Sequence, residues 1–332
     1  MEKGLSVLTG ATGHVGYAVL KELLAREEKT RILIRKDVAI FKGMDCEKAF
    51  GDVTDLPSLV AAFEGAETVY HFAGVIEVNA GNEDLLWNVN VQGTKNVVEA
   101  CRVQGVKRLV YASSVDVYPP LPNNQVMTEL DRFSPDILEG LYAKTKATAT
   151  QYVLDASKKG EVDAVVVHPS ACIGPYDFKV SSVGDMVRMY LAGKFPVSMK
   201  FGAYNFVDVR DVATGTYFAA KQGRRGECYI LCGETVSVEQ FIAMLAATQG
   251  KQPPRLRLSH GFVSAIAPLM ELYYKAAKKT PLLTRYSVRK LVSNCNFSYE
   301  KAAKELGYAP MPTQQSISDM VAWILEHEGK KQ

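Results

Sequence analysis

The feature that most constrains this chain is a glycine-rich segment, T-G-A-T-G-H-V-G, at residues 9–16. An apolar run at residues 5–8 precedes it and predicts a short buried strand. Apolar residues then recur at helical spacing and predict a helix that begins near His14. Glycines allow a tight turn close to a phosphate, and the N–H groups at a helix N-terminus attract anions.

This strand–turn–helix pattern predicts a site for the pyrophosphate of a dinucleotide, with a purely structural turn as the alternative. Its expected contacts are Gly10, Thr12, Gly13, His14, Val15 and Gly16.

The end of the next predicted strand indicates which nicotinamide cofactor the chain binds. Residues 30–34 predict a strand that runs directly into Arg35 and Lys36, and the first carboxylate, Asp37, follows only after them. An acidic residue at this place usually holds the ribose diol of NAD, whereas an arginine accommodates a 2′-phosphate. NADP(H) is therefore the favoured cofactor, and NAD is the other candidate. In the alternative interpretation, Arg35 and Lys36 belong to a solvated loop.

A tyrosine and a lysine lie four residues apart, at Tyr142 and Lys146, in a segment whose composition predicts a helix over 141–152. The pKa of tyrosine is about 10, so a phenol transfers protons poorly at neutral pH unless its anion is stabilised. A lysine one helical turn away is expected to lower the pKa of Tyr142. Ser113 and Ser114 end another predicted strand. Ser114 could hold a substrate oxygen while Tyr142 transfers its proton.

Together these motifs resemble the extended short-chain dehydrogenases/reductases, and the resemblance covers the chain nearly end to end. It implies a catalytic tetrad of Asn90, Ser114, Tyr142 and Lys146. In this tetrad, Asn90 would fix the local backbone and a water molecule, and Lys146 would also hold the nicotinamide ribose. The resemblance implies further cofactor contacts, at the adenine, the ribose and the nicotinamide: Asp52, Val53, Phe72, Ala73, Gly74, Ser113, Pro169 and Cys172.

Within that family, the chain is most similar to dihydroflavonol-reductase-like proteins. That group includes 3β-hydroxysteroid dehydrogenases and hopanoid-associated proteins often labelled sugar epimerases. The similarity rests on Arg35 and on the segments 296–302 and 305–308. His14 departs from the family pattern, which more often has a bulky apolar or aromatic residue there. Backbone groups bind the pyrophosphate, so His14 is not expected to change that binding. It is expected to change how the site closes.

Alternating apolar runs and helical patterns up to about residue 170 predict an α/β fold with a Rossmann-type, doubly wound parallel sheet. The chain has 332 residues, of which 47% are hydrophobic, enough for this sheet and a smaller C-terminal substrate lobe. The expected dinucleotide-binding domain spans 1–170, with 205–222 returning to it. Residues 171–332 are expected to form mainly the substrate lobe.

Charge and cysteine usage exclude several classes of partner. The formal net charge is only +3, so no nucleic-acid partner is expected. The six cysteines form no CxxC pair and no zinc pattern with histidine, which predicts reduced thiols and no metal site.

The sequence predicts no stable membrane insertion. The apolar run at 262–270 is too short to span a bilayer. Lysines and tyrosines at 273–279 are expected to form a helix with one wet face, with a membrane-surface helix as the alternative. A strand that begins by residue 5 leaves no room for a signal peptide, so a cytoplasmic protein is expected, with a homodimer as its possible assembly.

These features favour an NADP(H)-dependent oxidoreductase that interconverts a ketone and a secondary alcohol on a small-molecule substrate. Aromatic residues predict an apolar pocket for a steroid-like or flavonoid-like substrate: Tyr190, Phe195, Phe201, Tyr204 and Phe206, with Phe262, Leu269, Tyr273 and Tyr274. One alternative is a nucleotide-sugar epimerase or dehydratase that retains NAD and needs basic residues for a diphosphate. Arginines are available for that role without forming a clear clamp: Arg188, Arg255, Arg257, Arg285 and Arg289. A second alternative is a non-catalytic NADP sensor.

Overall fold

The computed structural model describes residues 4–76, 83–123, 125–194, 197–276 and 285–328, without the side chains of 271–276 and 285–287. The strands in these ranges are β1 (Leu5–Thr9), β2 (Thr30–Ile34), β3 (Glu47–Phe50), β4 (Ala66–His71), β5 (Arg108–Ala112), β6 (Ala164–Pro169), β7 (Ala171–Ile173), β8 (Val197–Met199), β9 (Ala203–Asp208), β10 (Cys228–Leu231), β11 (Glu234–Ser237) and β12 (Leu256–Leu258).

The helices in the same ranges are α1 (His14–Ala25), α2 (Leu56–Ala62), α3 (Glu83–Leu86), α4 (Gly93–Val103), α5 (Leu141–Lys159), α6 (Ser182–Leu191), α7 (Val209–Gln222), α8 (Val238–Thr248), α9 (His260–Ala276), α10 (Arg285–Val292), α11 (Glu300–Leu306) and α12 (Thr313–Glu328). A π-helical turn, Trp87–Gln92, joins α3 to α4.

Seven of the described strands form one parallel sheet in the order β3-β2-β1-β4-β5-β6-β10. Helices α2, α4 and α5 bury apolar residues such as Leu59, Val97 and Ala147 against one face. Helices α1, α7 and α11 cover the other face, where Leu20 and Val212 are fully buried. Helices on both faces of a parallel sheet define the doubly wound architecture, which confirms the predicted fold class.

A smaller lobe lies beyond the carboxyl ends of the sheet. In the described chain, it contains the three-stranded sheet β11-β9-β7 and the parallel pair β12-β8. Its core joins these strands to α8 and α12 through buried residues that include Phe206, Phe241 and Ile317. The lobe therefore has a hydrophobic core of its own.

The local predictions from apolar periodicity match the structure closely. β1 and α1 lie on either side of the glycine segment, and β2 spans the predicted residues 30–34. The helix predicted over 141–152 begins at Leu141 but continues to Lys159. Gly160 then ends it in the left-handed conformation, with φ 85°, which glycine adopts without steric cost.

The path by which the chain returns to the large sheet differs from the expectation. Residues 203–208 form β9 within the lobe sheet, so the return begins with α7 and not at residue 205. It continues beyond residue 222 to β10, which pairs with β6 and completes the edge of the sheet. The order of pairing across an edge is a long-range property that local periodicity does not report. The proposed division into two domains otherwise stays a prediction.

Candidate active site

The glycine segment forms a tight loop between β1 and α1. Gly10 has φ +80°, and a Cβ atom there would overlap the backbone of Phe72 and Ala73. A Cβ atom on Gly16 would overlap the carbonyl oxygen of Gly10. The Gly13 N–H donates to that carbonyl at 2.9 Å, and Gly13 gives α1 no side-chain cap. The first-turn N–H groups of α1 therefore suit the diphosphate of a dinucleotide.

His14 and its neighbours join this loop to the segment that follows β7. The His14 Nε2 atom lies 2.8 Å from the carbonyl oxygen of Pro175, and since a carbonyl only accepts, the imidazole donates. Burial lowers the pKa of His14, with an opposing contribution from a nearby carboxylate. Thr12 accepts a hydrogen bond from Lys179 at 2.9 Å, and Val15 packs against the core. The loop is thus covered from the lobe side.

The end of β2 presents basic side chains to solvent. Arg35 and Lys36 are exposed, and an Arg35 amino group lies 3.8 Å from Asp52. Asp37 points elsewhere, because its carboxylate accepts from Lys48 of β3 at 2.9 Å. That hydrogen bond lowers the pKa of Asp37 and keeps it ionised. Arg35 and Lys36 are therefore the cationic groups at the strand end.

The loop after β3 is fixed by its own hydrogen bonds. Asp52 accepts from the backbone N–H of Thr54 at 2.9 Å and from the Thr54 hydroxyl at 2.8 Å. Val53 is buried beside Gly93, where a Cβ atom would contact its side chain at 2.8 Å. The resemblance expects this loop to lie beside the adenine, and the structure places it next to Arg35.

The chain after β4 packs directly on the glycine loop. The Phe72 N–H donates to the Thr9 carbonyl at 3.1 Å, and the Ala73 N–H lies 3.3 Å from the Thr9 hydroxyl. His71 lies 2.8 Å from the same hydroxyl through Nδ1 and is fully buried. Burial, followed by the charge of Lys146, lowers the pKa of His71 to about 3. His71 is therefore a neutral structural residue, and the segment 72–74 is held between β1 and Asn90.

Ser114 follows β5 and lies close enough to Tyr142 for its side chain to act on the pKa of the phenol. The Ser114 Oγ atom accepts from the Asp116 N–H at 3.1 Å. Burial, followed by the negative charge of Asp116, raises the pKa of Tyr142 above its usual value, and the Ser114 side chain opposes this only in part. Tyr142 therefore stays protonated at neutral pH.

Lys146 does not have the expected effect on the pKa of Tyr142. Its Nζ atom donates to the Ala112 carbonyl at 2.5 Å and lies 4.5 Å from the ring centroid of Tyr111. Burial lowers the pKa of Lys146 to about 7. The sequence predicted that Lys146 lowers the pKa of Tyr142, whereas burial and Asp116 raise it. The reason is that both side chains are buried together, which disfavours the charged form of each.

Asn90 lies in the π-helical turn Trp87–Gln92 and fixes the backbone beside the site. Its side chain accepts from the Val75 N–H at 2.8 Å and donates to the Val75 carbonyl at 3.0 Å. It also donates to the Thr145 hydroxyl at 3.1 Å, and Thr145 in turn donates to the Tyr142 carbonyl at 2.9 Å. Such turns are frequent at functional sites. No sequence pattern indicated the role of Thr145.

The remaining predicted cofactor contacts are Ser113, Pro169 and Cys172, and each has its own surroundings. The Ser113 hydroxyl pairs with Thr150 at 2.7 Å inside the protein, so this side chain does not face the site. Cys172 donates to the Ser170 carbonyl at 3.4 Å, and burial raises the pKa of its thiol to about 12. Pro169 is buried at the end of β6. Cys172 is thus a protonated thiol that packs beside the site, as is usual for such cysteines.

A cavity of about 570 Å³ opens beside Tyr142, between the large sheet and the lobe. Apolar side chains form much of its wall: Leu86, Val115, Leu141, Tyr204 and Phe297. Polar groups also reach it, including Asp116, whose carboxylate pairs with Lys290 at 2.6 Å. The Ser170 hydroxyl is buried in this wall and has no hydrogen-bond partner in the described part of the chain. No sequence pattern singles out Ser170 or Lys290, because the cavity that brings them together forms only in the folded chain.

The predicted aromatic pocket is wrong in most of its members. Of those described, only Tyr204 lines the cavity, while Phe206 is buried in the lobe core and Tyr190 packs against it. Phe262 and Leu269 on α9 are 54% and 68% exposed to solvent. Alternating side chains of a strand point to opposite faces, so most aromatics of the segment pack into the lobe. The expectations for Phe195, Tyr273 and Tyr274 fall outside the described residues.

Three of the arginines considered for a diphosphate clamp lie in ion pairs within the protein. Arg188 binds Asp177 and Glu328, Arg257 binds Glu239 at 2.9 Å, and Arg289 lies 3.8 Å from Glu139. The side chain of Arg285 lies outside the described residues.

Comparison with known proteins identifies the family. The sequence model of the NAD dependent epimerase/dehydratase family matches residues 6–232. The chain belongs to this family. It is 34% identical over 330 residues to "Sterol demethylase protein B" of Methylococcus capsulatus, covering 97% of this chain and 98% of the relative. It is 31% identical over 285 residues to "3beta-hydroxysteroid-dehydrogenase/decarboxylase isoform 1" of Arabidopsis thaliana, covering 80% and 64% of the two chains.

Among solved structures, the crystal structure of gox2253 is similar to this chain with a TM-score of 0.85 and 30% identity, covering 98% of this chain and 99% of gox2253. Sequence and fold therefore agree that this family member is an NAD(P)-dependent oxidoreductase of the extended short-chain dehydrogenase/reductase type. The predicted family and class of enzyme are confirmed. No helix in the described ranges is long and apolar enough to cross a bilayer.

Proposed function

We propose that the protein interconverts a secondary alcohol and a ketone on an apolar, fused-ring substrate of steroid size, with NADP(H) as its cofactor. The observation that carries this proposal is the position of Tyr142 in the wall of a largely apolar cavity, whose lining also includes Val115, the residue that follows Ser114. Its volume, about 570 Å³, falls within the range of small-molecule sites, roughly 300–1,000 Å³.

Tyr142 is suited to give a proton to a substrate oxygen. Burial raises its pKa, so the phenol carries its proton at neutral pH and can donate it in the reductive direction. The Ser114 hydroxyl accepts from a backbone N–H, which leaves its own proton for the same oxygen. A bound nicotinamide would supply or accept the hydride. Lys146, whose pKa lies near neutrality, can hold or release a proton behind Tyr142.

The residues of the glycine loop fit a dinucleotide, because side chains are excluded where Gly10 and Gly16 approach neighbouring backbone. We assign the adenine ribose to the end of β2. Arg35 is 78% exposed there and could bind a 2′-phosphate, while the nearest following carboxylate, Asp37, is engaged by Lys48. This arrangement supports NADP(H) over NAD.

The nature of the cavity supports an apolar substrate. Apolar walls stabilise a fused-ring ligand by about 25 cal/mol per Å² of surface removed from water. A diphosphate deprived of water needs paired cations, and Arg188, Arg257 and Arg289 are occupied by carboxylates. The relatives named for sterols and 3β-hydroxysteroids point to the same class of substrate.

Competition binding on the purified protein tests this proposal. With NADP present, steroid alcohols or ketones should bind, and a steroid alcohol should generate the absorbance band of the reduced nicotinamide. UDP-sugars should neither bind nor turn over. Tightly retained NAD with micromolar binding of a UDP-sugar would instead establish an epimerase. Binding of NADP without turnover of any alcohol or ketone would indicate a sensor.

A further inference from the structure

One segment of the lobe crosses to the glycine loop and brings a lysine to it. Residues 174–181 follow β7, and the Lys179 Nζ atom donates to the Thr12 hydroxyl at 2.9 Å. Thr12 lies between Gly10 and Gly13, within the loop whose backbone fits a diphosphate. A cation from the lobe therefore lies against the phosphate-binding loop, although 167 positions separate the two residues in the chain.

Buried polar contacts anchor this segment. The Asp177 side chain is 1% exposed and accepts from the Ser181 N–H at 2.9 Å and the Ser181 hydroxyl at 3.0 Å. Arg188 of α6 donates to the Asp177 carboxylate and to its carbonyl, each at 3.2 Å. Because both oxygens of this buried carboxylate accept hydrogen bonds, the turn that contains Lys179 is held in one conformation.

Contacts with α1 hold the same segment from the other side. His14 donates to the Pro175 carbonyl at 2.8 Å. The Tyr17 ring lies 5.3 Å from that of Tyr176 and 5.0 Å from that of Phe178, measured between centroids. The position of Lys179 is therefore set by residues on both sides of it.

The backbone on either side of Lys179 is strained. Tyr176 has φ 75° and Val180 has φ 52°, values in the left-handed region that non-glycine residues rarely adopt. For the β-branched Val180 this conformation is a clear outlier. Such strain persists only where surrounding contacts impose it, and it concentrates at ligand clamps and switch regions.

Lys179 has a second cation in its surroundings. Burial, followed by the positive charge of Arg35, lowers the pKa of Lys179. Within the described residues, the polar partner of Lys179 is the neutral Thr12 hydroxyl, and no carboxylate lies within ion-pair distance of it. A lysine placed beside a phosphate-binding loop without a carboxylate partner is stabilised when an anion binds there.

We propose that Lys179 is a phosphate ligand of the dinucleotide, carried to the cofactor by the lobe. This inference rests on the proposed cofactor site. The phosphate is either the 2′-phosphate beside Arg35 or the diphosphate beside Thr12, and both are anions that an ammonium group binds well. Since Ser182 of the next helix lines the substrate cavity, the same segment joins the bound cofactor to the substrate site.

Equilibrium titration of the purified full-length protein with NADPH and with NADH tests this. Lys179→Met should weaken cofactor binding by about 10-fold or more, as expected for the loss of a charge-assisted hydrogen bond. Lys179→Arg should retain most of the affinity. Lys194→Met, at an exposed lysine outside the site, is the matched control and should bind as the native protein does.

The two cofactors identify the phosphate. A loss confined to NADPH assigns Lys179 to the 2′-phosphate, and an equal loss for both cofactors assigns it to the diphosphate. The affinity of Lys179→Met should also depend less steeply on salt, which a purely structural role would not produce. Unchanged affinity for both cofactors would overturn the proposal. That result would leave turnover intact, so it is distinct from a failure of the proposed reaction, which turnover measures.

Discussion

Tyr142 has surroundings that keep its proton in place, and this decides what the residue can do. Burial and Asp116 both favour the neutral phenol, and the Ser114 side chain only partly offsets them. Lys146 is buried as well and donates to a backbone carbonyl. The pair therefore begins with a protonated donor and a lysine that titrates near pH 7, which suits proton transfer in either direction.

Removing the Tyr142 hydroxyl tests this role. Tyr142→Phe keeps the ring but loses the proton donor, so turnover should fall by roughly 10²–10⁴-fold while cofactor binding persists. Steady-state rates with a steroid alcohol and NADP provide the measurement. Tyr152→Phe, which alters another tyrosine of α5 outside the site, is the matched control. Near-native turnover of Tyr142→Phe would show that another group transfers the proton.

In the proposed cofactor site, we expect Arg35 to select NADP(H) by binding its 2′-phosphate. Arg35→Ala should weaken NADPH binding by about 10- to 150-fold, because a charge-assisted pair with a phosphate contributes about 1.5–3 kcal/mol. Binding of NADH should stay almost unchanged, and both constants can be measured by titration. Arg102→Ala, at an exposed arginine of α4, serves as the control. An equal loss for both cofactors would mean that Arg35 supports the fold and does not bind the 2′-phosphate.

At the scale of the secondary-structure elements, the site depends on how closely backbone segments approach one another. The loop between β1 and α1 lies against the chain after β4, and the π-helical turn fixes Val75 through Asn90. α5 places Tyr142 one helical turn before Lys146. These close approaches leave little room for side chains. Glycine is needed there because it has no Cβ atom.

A comparison of two glycines distinguishes the cost of a steric clash from the cost of a positive φ. Gly10 and Gly43 have nearly equal φ, +80° and +79°, but only Gly10 has backbone atoms in the place of a Cβ. Gly43→Ala should lower the free energy of unfolding by about 1–2 kcal/mol, the cost of a positive φ alone. Gly10→Ala should lower it by clearly more. Denaturant unfolding measures both variants. Equal losses would show that the approach at Gly10 relaxes without cost.

At the scale of the whole molecule, a cavity between the large sheet and the lobe joins groups from distant parts of the chain. Asp116 follows β5 and Lys290 lies on α10, yet their side chains pair at 2.6 Å. The segment 174–181 likewise brings lobe residues to the glycine loop. Residues of the lobe thus contribute both to the cavity beside Tyr142 and to the contacts that cover the glycine loop. A cytoplasmic location and a homodimer stay predictions.

The sequence alone determined the fold class, because apolar periodicity and glycine spacing are local properties. It also determined the family, through motifs that resemble those of known members. It predicted β1, β2 and the start of α5 from such patterns. The tertiary structure decided what depends on long-range contact. It placed β10 at the sheet edge and brought Lys179 to Thr12. It also packed most of the predicted aromatic side chains into the core of the lobe. It also reversed the expected pKa shift of Tyr142, because burial is a property of the folded chain and not of residue spacing.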